Sequence, residues 1–262
     1  MLTKTKRAPT SVIPKGPAAM PSAFSRRRTA SLANRAYAEI REKILRGDLP
    51  VGDVISRRKL ATELNISVPP VTEALQQLEA EGLLESKPRV GTRVRIPTRQ
   101  EVEDRCLVRE ALESQAARLF AERATPEEKT ALRQMGSQVD QLYACCESQP
   151  VDRGFLFSAH TFHMNLHLQN AECGRCAALR DAIEKEQVLV FNWLYDTAVE
   201  RRTLASDHHA RLTAALASGT ADQAEAAMRQ HIRVGLQEVL AKLDCLKLPE
   251  RGWRLTRKSV GK

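Results

Sequence analysis

Aromatic side chains are scarce, 4% of 262 residues, too few for the stacking platforms that hold single-stranded nucleic acid. No uninterrupted apolar run approaches the roughly 18 residues that a membrane span requires. The first residues, MLTKTKRAPTSVIPKGPAAM, lack the apolar stretch of a secretory signal. The run SRRRTASLA is followed by polar, helix-prone sequence and not by the apolar segment of a twin-arginine signal. The expectation is a cytoplasmic chain with no membrane partner. Its six cysteines, Cys106, Cys145, Cys146, Cys173, Cys176 and Cys245, are then mostly reduced. Glycine and proline, 12 each, are too few for a collagen-like or low-complexity chain. A glycine-rich phosphate loop and a β/α alternation are both missing, which argues against a nucleotide-binding fold.

What is present is an apolar content of 42% beside 28% charge, enough to build a core. The net charge of +9 is unevenly placed. Residues 1–32 carry seven basic and no acidic side chains, and residues 99–246 carry 17 basic against 22 acidic. A basic front on an acidic remainder points to a polyanionic partner for the N-terminal part.

Residues 1–32, with four prolines and no hydrophobic periodicity, read as a disordered basic arm. From Ala33 the pattern becomes helical. Ala38, Ile40, Ile44 and Leu45 recur at helical spacing, and Gly47 supplies a stop. A second helix fits SRRKLATEL with Ser56 as its cap. A third follows Ser67, with Pro69 and Pro70 in the first turn, where backbone amides need no intrahelical partner. Val71, Leu75 and Leu78 form its buried stripe, and Gly82 ends it. Two short β-prone runs, LLES and TRVRIP, flank KPRVG and read as a hairpin with a basic tip. Three helices and a β-hairpin in this order, over residues 33–98, make a winged helix-turn-helix.

From Arg99 to Leu246 nearly every segment reads as helix: 100–122, 126–147, 152–169, 175–198, 202–218 and 221–246. The breaks are ATPEE, QPVD, NAECG and SGTAD. Six amphipathic helices with short connections imply an antiparallel bundle, so the fold class is mostly α, and residues 247–262 form a basic tail.

The stretch AEIREKILRGDLPVGDVISRRKLATELNISVPPVTEALQQLEAEGLLESKPRVGTRV resembles the DNA-binding domain of the GntR family of bacterial transcription regulators. The helical part resembles that family's FCD type of effector domain, through LVREALESQAA, FHMNLH, DHHARLTAAL and ADQAEAAMRQHI. The resemblance implies a homodimer that binds a palindromic double-stranded operator and releases it when a small metabolite, often a carboxylate, occupies the bundle. Arg58 matches a family DNA-contacting position. The recognition helix would offer Ser67, Val68 and Thr72 to base edges, backed by Arg57, Arg58 and Lys59 and by Arg89, Arg93 and Arg95 on the wing. The family commonly has arginine where this chain has Val68 and Thr72. Direct guanine reading is then reduced, and thymine methyls would meet Val68 or the Thr72 methyl. The arm would add phosphate or minor-groove contacts, so deleting residues 1–32 should flatten the salt dependence of operator binding.

All six histidines lie between 160 and 231. The resemblance implies a divalent metal held by an Asp-x-x-x-His pair and two later histidines. His163, His209 and His231 fall at the matching places, and imidazoles suit zinc or nickel. The aspartate of the pair is replaced by Ala159. Water or an effector oxygen is expected to complete the shell; His160 and His167, at i−3 and i+4 from His163, lie on roughly the same stripe and are the alternative ligands. Arg109 matches an arginine that often faces the effector pocket and suits a carboxylate clamp; the competing reading is an exposed i, i+4 pair with Glu113. Trp193 and Tyr195 would wall the pocket or pack in the core. Cys173-Gly-Arg-Cys176 is a weak zinc signal and a candidate redox trigger, as is the Cys145–Cys146 pair. The expected function is ligand-responsive transcription regulation, with repression favoured and no enzymatic activity. A redox- or metal-triggered regulator is the alternative. A metallohydrolase with a DNA tether is more remote, since no Glu or Asp is placed as a general base.

Overall fold

The computed structural model describes residues 31–148, 153–195 and 205–245. The expected basic arm falls almost wholly outside these residues. So do the basic tail and the side chains of Trp193 and Tyr195.

The N-terminal unit begins with α1 (Leu32–Leu45), whose first turn is closed by Ser31 Oγ accepting the amide of Asn34 at 3.1 Å. It continues through β1 (Val54–Ile55), α2 (Arg57–Glu63), α3 (Val68–Ala80), β2 (Leu84–Lys87) and β3 (Gly91–Val94). The stripes read from the sequence converge. Ile40 and Ile44 of α1, Leu60 of α2 and Val71, Leu75 and Leu78 of α3 are buried together with Leu84 and Val94. Each such side chain contributes about 1.5–3 kcal/mol by leaving water. The turn from α2 to α3 places Asn65 at φ 52, a left-handed conformation that asparagine tolerates better than most residues.

The wing holds one strand more than the expected hairpin. β1 pairs with β3, giving an antiparallel sheet in the order β1-β3-β2, with Val54 opposite Arg93 and Glu85 opposite Arg93 from the other side. Two residues are too short to display a period of two, which is why β1 left no trace in the pattern. Glu79 ties α3 to the wing by accepting both the amide and the hydroxyl of Ser86 at 2.9 Å.

The helical half comprises α4 (Arg99–Arg123), α5 (Pro126–Ser148), α6 (Arg153–Cys173), α7 (Ala177–Tyr195), α8 (His208–Ser218) and α9 (Ala221–Cys245). A capping box starts α4, with Thr98 and Glu101 exchanging backbone and side-chain hydrogen bonds. The long helices α4 and α9 lie side by side, and α4 also touches α6, α7 and α8. Glu110 of α4 receives both Nε and an Nη of Arg233 from α9, each at 2.8 Å. Phe120, Leu132, Val139, Leu166, Leu212 and Met228 fill the centre. Gly136 lets α5 approach α8, since a Cβ there would lie 2.8 Å from the carbonyl oxygen of His209 and closer still to Thr213. Among the described residues no helix is long and apolar enough to cross a membrane.

The helix α6 faces both halves. Phe157 and Met164 pack against the N-terminal core, and the Arg46 guanidinium sits 5.1 Å from the Phe157 ring centre. The same helix carries His160, His163 and His167 into the bundle.

Candidate functional site

Two features concentrate chemistry. The first is the outer end of the helix-turn-helix. Ser67 caps α3 with its side chain turned away from the helix amides. Arg58, Thr62, Asn65, Ser67 and Val68 line one open concave surface between α2 and the start of α3. Val68 is exposed, and the Thr72 hydroxyl donates to the Val68 carbonyl at 3.1 Å. Arg58 and Lys59 stand exposed on α2, and Arg89 at the wing tip holds φ 65. Several of the expected contact residues have engagements within the protein, Lys59 with Glu63 at 3.8 Å among them. Arg57 reaches Thr92 Oγ1 at 3.4 Å, and Arg93 Nε donates to Glu85 at 2.6 Å. Arg95 pairs with Glu101.

The second feature is a cluster of imidazoles from α6, α8 and α9. The three histidines expected to converge do so: ring centres stand 4.4 Å apart for His163 and His209, 5.4 Å for His209 and His231, and 5.8 Å for His163 and His231. The tightest grouping of ligand atoms differs from that trio. His163, His167 and His231 form one set, and His208, His209 and His231 another, each with its ligand atoms within 4.8 Å of one another. His167 Nε2 lies 3.0 Å from His163 Nε2 and 3.3 Å from His231 Nε2. His167, His209 and His231 are buried.

In four of these five rings, those of His163, His167, His209 and His231, Nδ1 is turned to an outer partner. Tyr143 Oη is 3.1 Å from Nδ1 of His163, and His208 Nε2 is 2.8 Å from Nδ1 of His231. Glu113 lies 2.5 Å from Nδ1 of His167, and Asp140 lies 2.6 Å from Nδ1 of His209. An ionised carboxylate only accepts, so the ring hydrogen of His209 sits on Nδ1 and its Nε2 lone pair is left available, while at His167 the carboxylate stands at ion-pair distance from Nδ1. Asp140 also accepts the amides of His209 and Ala210, at 3.1 and 2.8 Å. Its carboxylate thus caps α8 from a neighbouring helix, where the helix's own N-cap, Asp207, makes no side-chain bond to the helix amides and pairs with Arg211 instead.

The electrostatics follow from this packing. Burial raises the Glu113 pKa, but the Arg109 charge and His167 outweigh it and bring the carboxyl down to about 2. Asp140 is likewise held below its usual range, burial being outweighed by its hydrogen bonds to His209 and to the amides of Ala210 and His209. Burial, followed by the neighbouring His167, His209, His208 and Arg109, pushes His231 well below its ordinary value, so its ring is neutral at pH 7.

Arg109 Nε donates to Glu113 at 2.8 Å. This is the i, i+4 pair weighed from the sequence, but both side chains are largely buried, at 14% and 1% exposure, where an exposed face was the expectation. Arg109, Glu113 and His167 therefore form one chain of contacts from α4 into the imidazole cluster. His160 Nδ1 meets Tyr143 Oη at 2.9 Å. Ala159, where the resemblance expects an aspartate, is fully buried. Buried Ser114 Oγ and Asn170 Oδ1, on the facing helices α4 and α6, lack a hydrogen-bond partner.

Tyr143, Asp140 and His208 did not emerge from the sequence as site residues. The first two come from α5, whose only irregularity in sequence is Gly136, one turn before Asp140. Of the candidate redox thiols, Cys173 is a poor fit to that chemistry. Burial raises the pKa of Cys173, and Gln169 donates to its sulfur at 3.3 Å; burial also raises that of Cys106, and a raised pKa leaves less reactive thiolate.

The family profile "Bacterial regulatory proteins, gntR family" matches residues 32–94, and the "FCD domain" profile matches residues 104–234. The chain is 39% identical over 100 residues to the "Probable D-xylose utilization operon transcriptional repressor" of Paenarthrobacter nicotinovorans, covering 38% of this chain and 44% of that protein. It is 28% identical over 192 residues to the "Nta operon transcriptional regulator" of Aminobacter aminovorans, covering 72% and 85%. The fold is similar to that of E. coli McbR/YncC, with a TM-score of 0.66 at 18% identity over 81% of this chain and 99% of the other. Both sequence relatives are named as transcription regulators, and the chain, with a winged helix-turn-helix followed by an FCD domain, belongs to the gntR family of bacterial regulatory proteins.

Proposed function

We propose that the chain is a metabolite-responsive repressor. Its helical domain holds a divalent metal and a small carboxylate or sugar acid, and occupancy of that domain sets the grip of a dimer on a palindromic operator. The observation that carries the reading is the convergence of buried imidazoles with ring nitrogens 3.0 and 3.3 Å apart. Nitrogens bound to one ion at about 2.0–2.1 Å stand roughly 3.0–3.4 Å apart, so the spacing fits a shared zinc or nickel ion. The donor set fits as well: neutral nitrogen suits these borderline ions better than magnesium or calcium. His163 and His231, which those distances join through His167, would hold the metal together with His209, whose ring centre stands 4.4 Å from that of His163; the metal would supply a positive anchor for an anionic effector.

Arg109 would add charge to that anchor, although its Nε is engaged with Glu113. The buried, unpartnered Ser114 Oγ and Asn170 Oδ1 support a polar ligand nearby. Transmission has a physical route in α6, which carries His163 and His167 on one side and presses Phe157 and Met164 on the DNA-reading head. On the DNA side, Arg58, Lys59 and Arg89 would hold phosphates, while Val68 and the methyl of Thr72 would face thymine methyls. Arg57, Ser67 and Arg93 would complete the set.

A thermal-shift screen of organic acids, with and without chelator, tests the receptor half, and mobility shift on the protein's own promoter region with the hits tests the coupling. An acid that stabilises only the metal-loaded protein and releases the DNA supports the reading. Indifference to metal and to every acid opposes it.

A further inference from the structure

Resting on the reading that the imidazole cluster holds a divalent metal, we propose that the donor set is all nitrogen. His167 takes the ligand position that Ala159 cannot fill, and Glu113 acts as the outer carboxylate that orients it. Ala159 is fully buried and carries no donor atom, so the stripe of α6 around His163 needs another contributor if it is to offer two ligands. His167 stands one helical turn on, and its Nε2 is the nitrogen nearest to two others, 3.0 Å from that of His163 and 3.3 Å from that of His231. His160 is the other substitute on the stripe, but among the described residues it joins neither grouping of ligand atoms, whereas His167 joins His163 and His231.

The orientation of His167 is built in. Glu113, 1% exposed, stands at ion-pair distance, 2.5 Å, from Nδ1, and Nε2 lies on the cluster side of the ring, 3.0 Å from that of His163. Arg109 in turn holds Glu113 at 2.8 Å. An outer carboxylate of this kind fixes the ring tautomer and makes the imidazole a better donor. The chemical consequence is a change of charge. A site of three imidazoles and a carboxylate carries +1 with a divalent ion, and four imidazoles leave it at +2. The negative charge is moved one residue outward, to Glu113, where Arg109 neutralises it. The ligand class is therefore a soft-to-borderline cation such as Zn(II), Ni(II) or Co(II), discriminating against Mn(II) and Mg(II) more strongly than a site with a bound carboxylate.

The test uses the full-length chain, stripped of metal and titrated with Co(II) for its absorption spectrum and with Zn(II) against a competing chelator for affinity. His167→Gln keeps a donor toward Glu113 and removes the ring nitrogen. It is expected to weaken Zn(II) binding at least ~100-fold and to alter the Co(II) spectrum. Glu113→Gln is expected to weaken binding by about 10–100-fold while leaving the Co(II) bands in place. If His167→Gln does not fold, the Glu113→Gln result decides, since a carboxylate remote from the ion would leave affinity unchanged. Wild-type binding with an unaltered spectrum and affinity in His167→Gln overturns the role of His167 and leaves the cluster reading standing. Absence of stoichiometric metal in the wild type overturns the cluster reading itself.

Discussion

The carboxylate of Asp140 on α5 accepts the Nδ1–H of His209 on α8 at 2.6 Å while also receiving the first amides of that helix. One side chain therefore fixes a ring tautomer and caps a helix. Asp140→Ala should cost about 1–2 kcal/mol from the lost cap. It should also lower metal affinity by roughly 10–100-fold through the freed imidazole. Chemical denaturation and chelator competition measure the two effects separately; a stable variant with native metal affinity would remove Asp140 from both roles.

Glu113 and Arg109 are a buried pair, and such pairs are costly to break and cheap to replace together. Glu113→Ala leaves the Arg109 charge largely buried without its carboxylate and should destabilise the domain by ~3–5 kcal/mol. The double variant Arg109→Met with Glu113→Leu should recover most of that loss. Equal destabilisation in the single and double variants would mean that packing, not charge, governs this position.

Much of this arrangement was legible in the sequence, and the remainder was hidden for definable reasons. The stripes at Ile40, Ile44, Val71, Leu75 and Leu78 gave the head because each lies within one helix, and the breaks at Pro126 and Gly219 marked the bundle. The convergence of His163, His209 and His231 was expected only through resemblance, since periodicity does not say which helices meet. Asp140 and Tyr143 act across 69 and 20 residues of chain, beyond the reach of any local pattern. His167 was visible as a neighbour of His163 at i+4, but its partner Glu113 lies 54 positions away on α4. The Arg109–Glu113 pair was read correctly as a spacing, and its burial depended on α6 covering it.

Tyr37 joins α1 to the end of α3 by donating its hydroxyl to Glu81 at 2.7 Å. Burial and that hydrogen bond push its pKa up to about 12. An unfolded tyrosine titrates near ~10, so between these values the unfolded state loses its proton first. Stability from this group is complete below pH ~10 and declines as the pH rises toward 12. Tyr37→Phe should lose about 1 kcal/mol at neutral pH and remove a step near pH 12 from the tyrosinate absorbance curve. Retention of that step would assign it to another tyrosine.

Arg58 and Arg93 should separate in DNA binding. Arg58 is exposed beside the start of α3, whereas Arg93 is tied to Glu85 in the sheet. Arg58→Ala should weaken operator binding and lower the salt slope by ~1, the mark of one lost phosphate contact, with unchanged thermal stability. Arg93→Ala should lower the stability of the wing as well. An unaltered slope in Arg58→Ala would exclude it as a phosphate contact.

The central claim, that the imidazole cluster of the helical domain governs the grip of the head on DNA, is tested by fluorescence anisotropy. The probe is a fragment of the protein's own promoter, bound by the wild type and by His231→Gln while zinc and an organic acid identified by thermal shift are added. The account predicts that the acid releases DNA from the zinc-loaded wild type, whereas His231→Gln binds the fragment and fails to let go. Release from both proteins at the same acid concentration would contradict it.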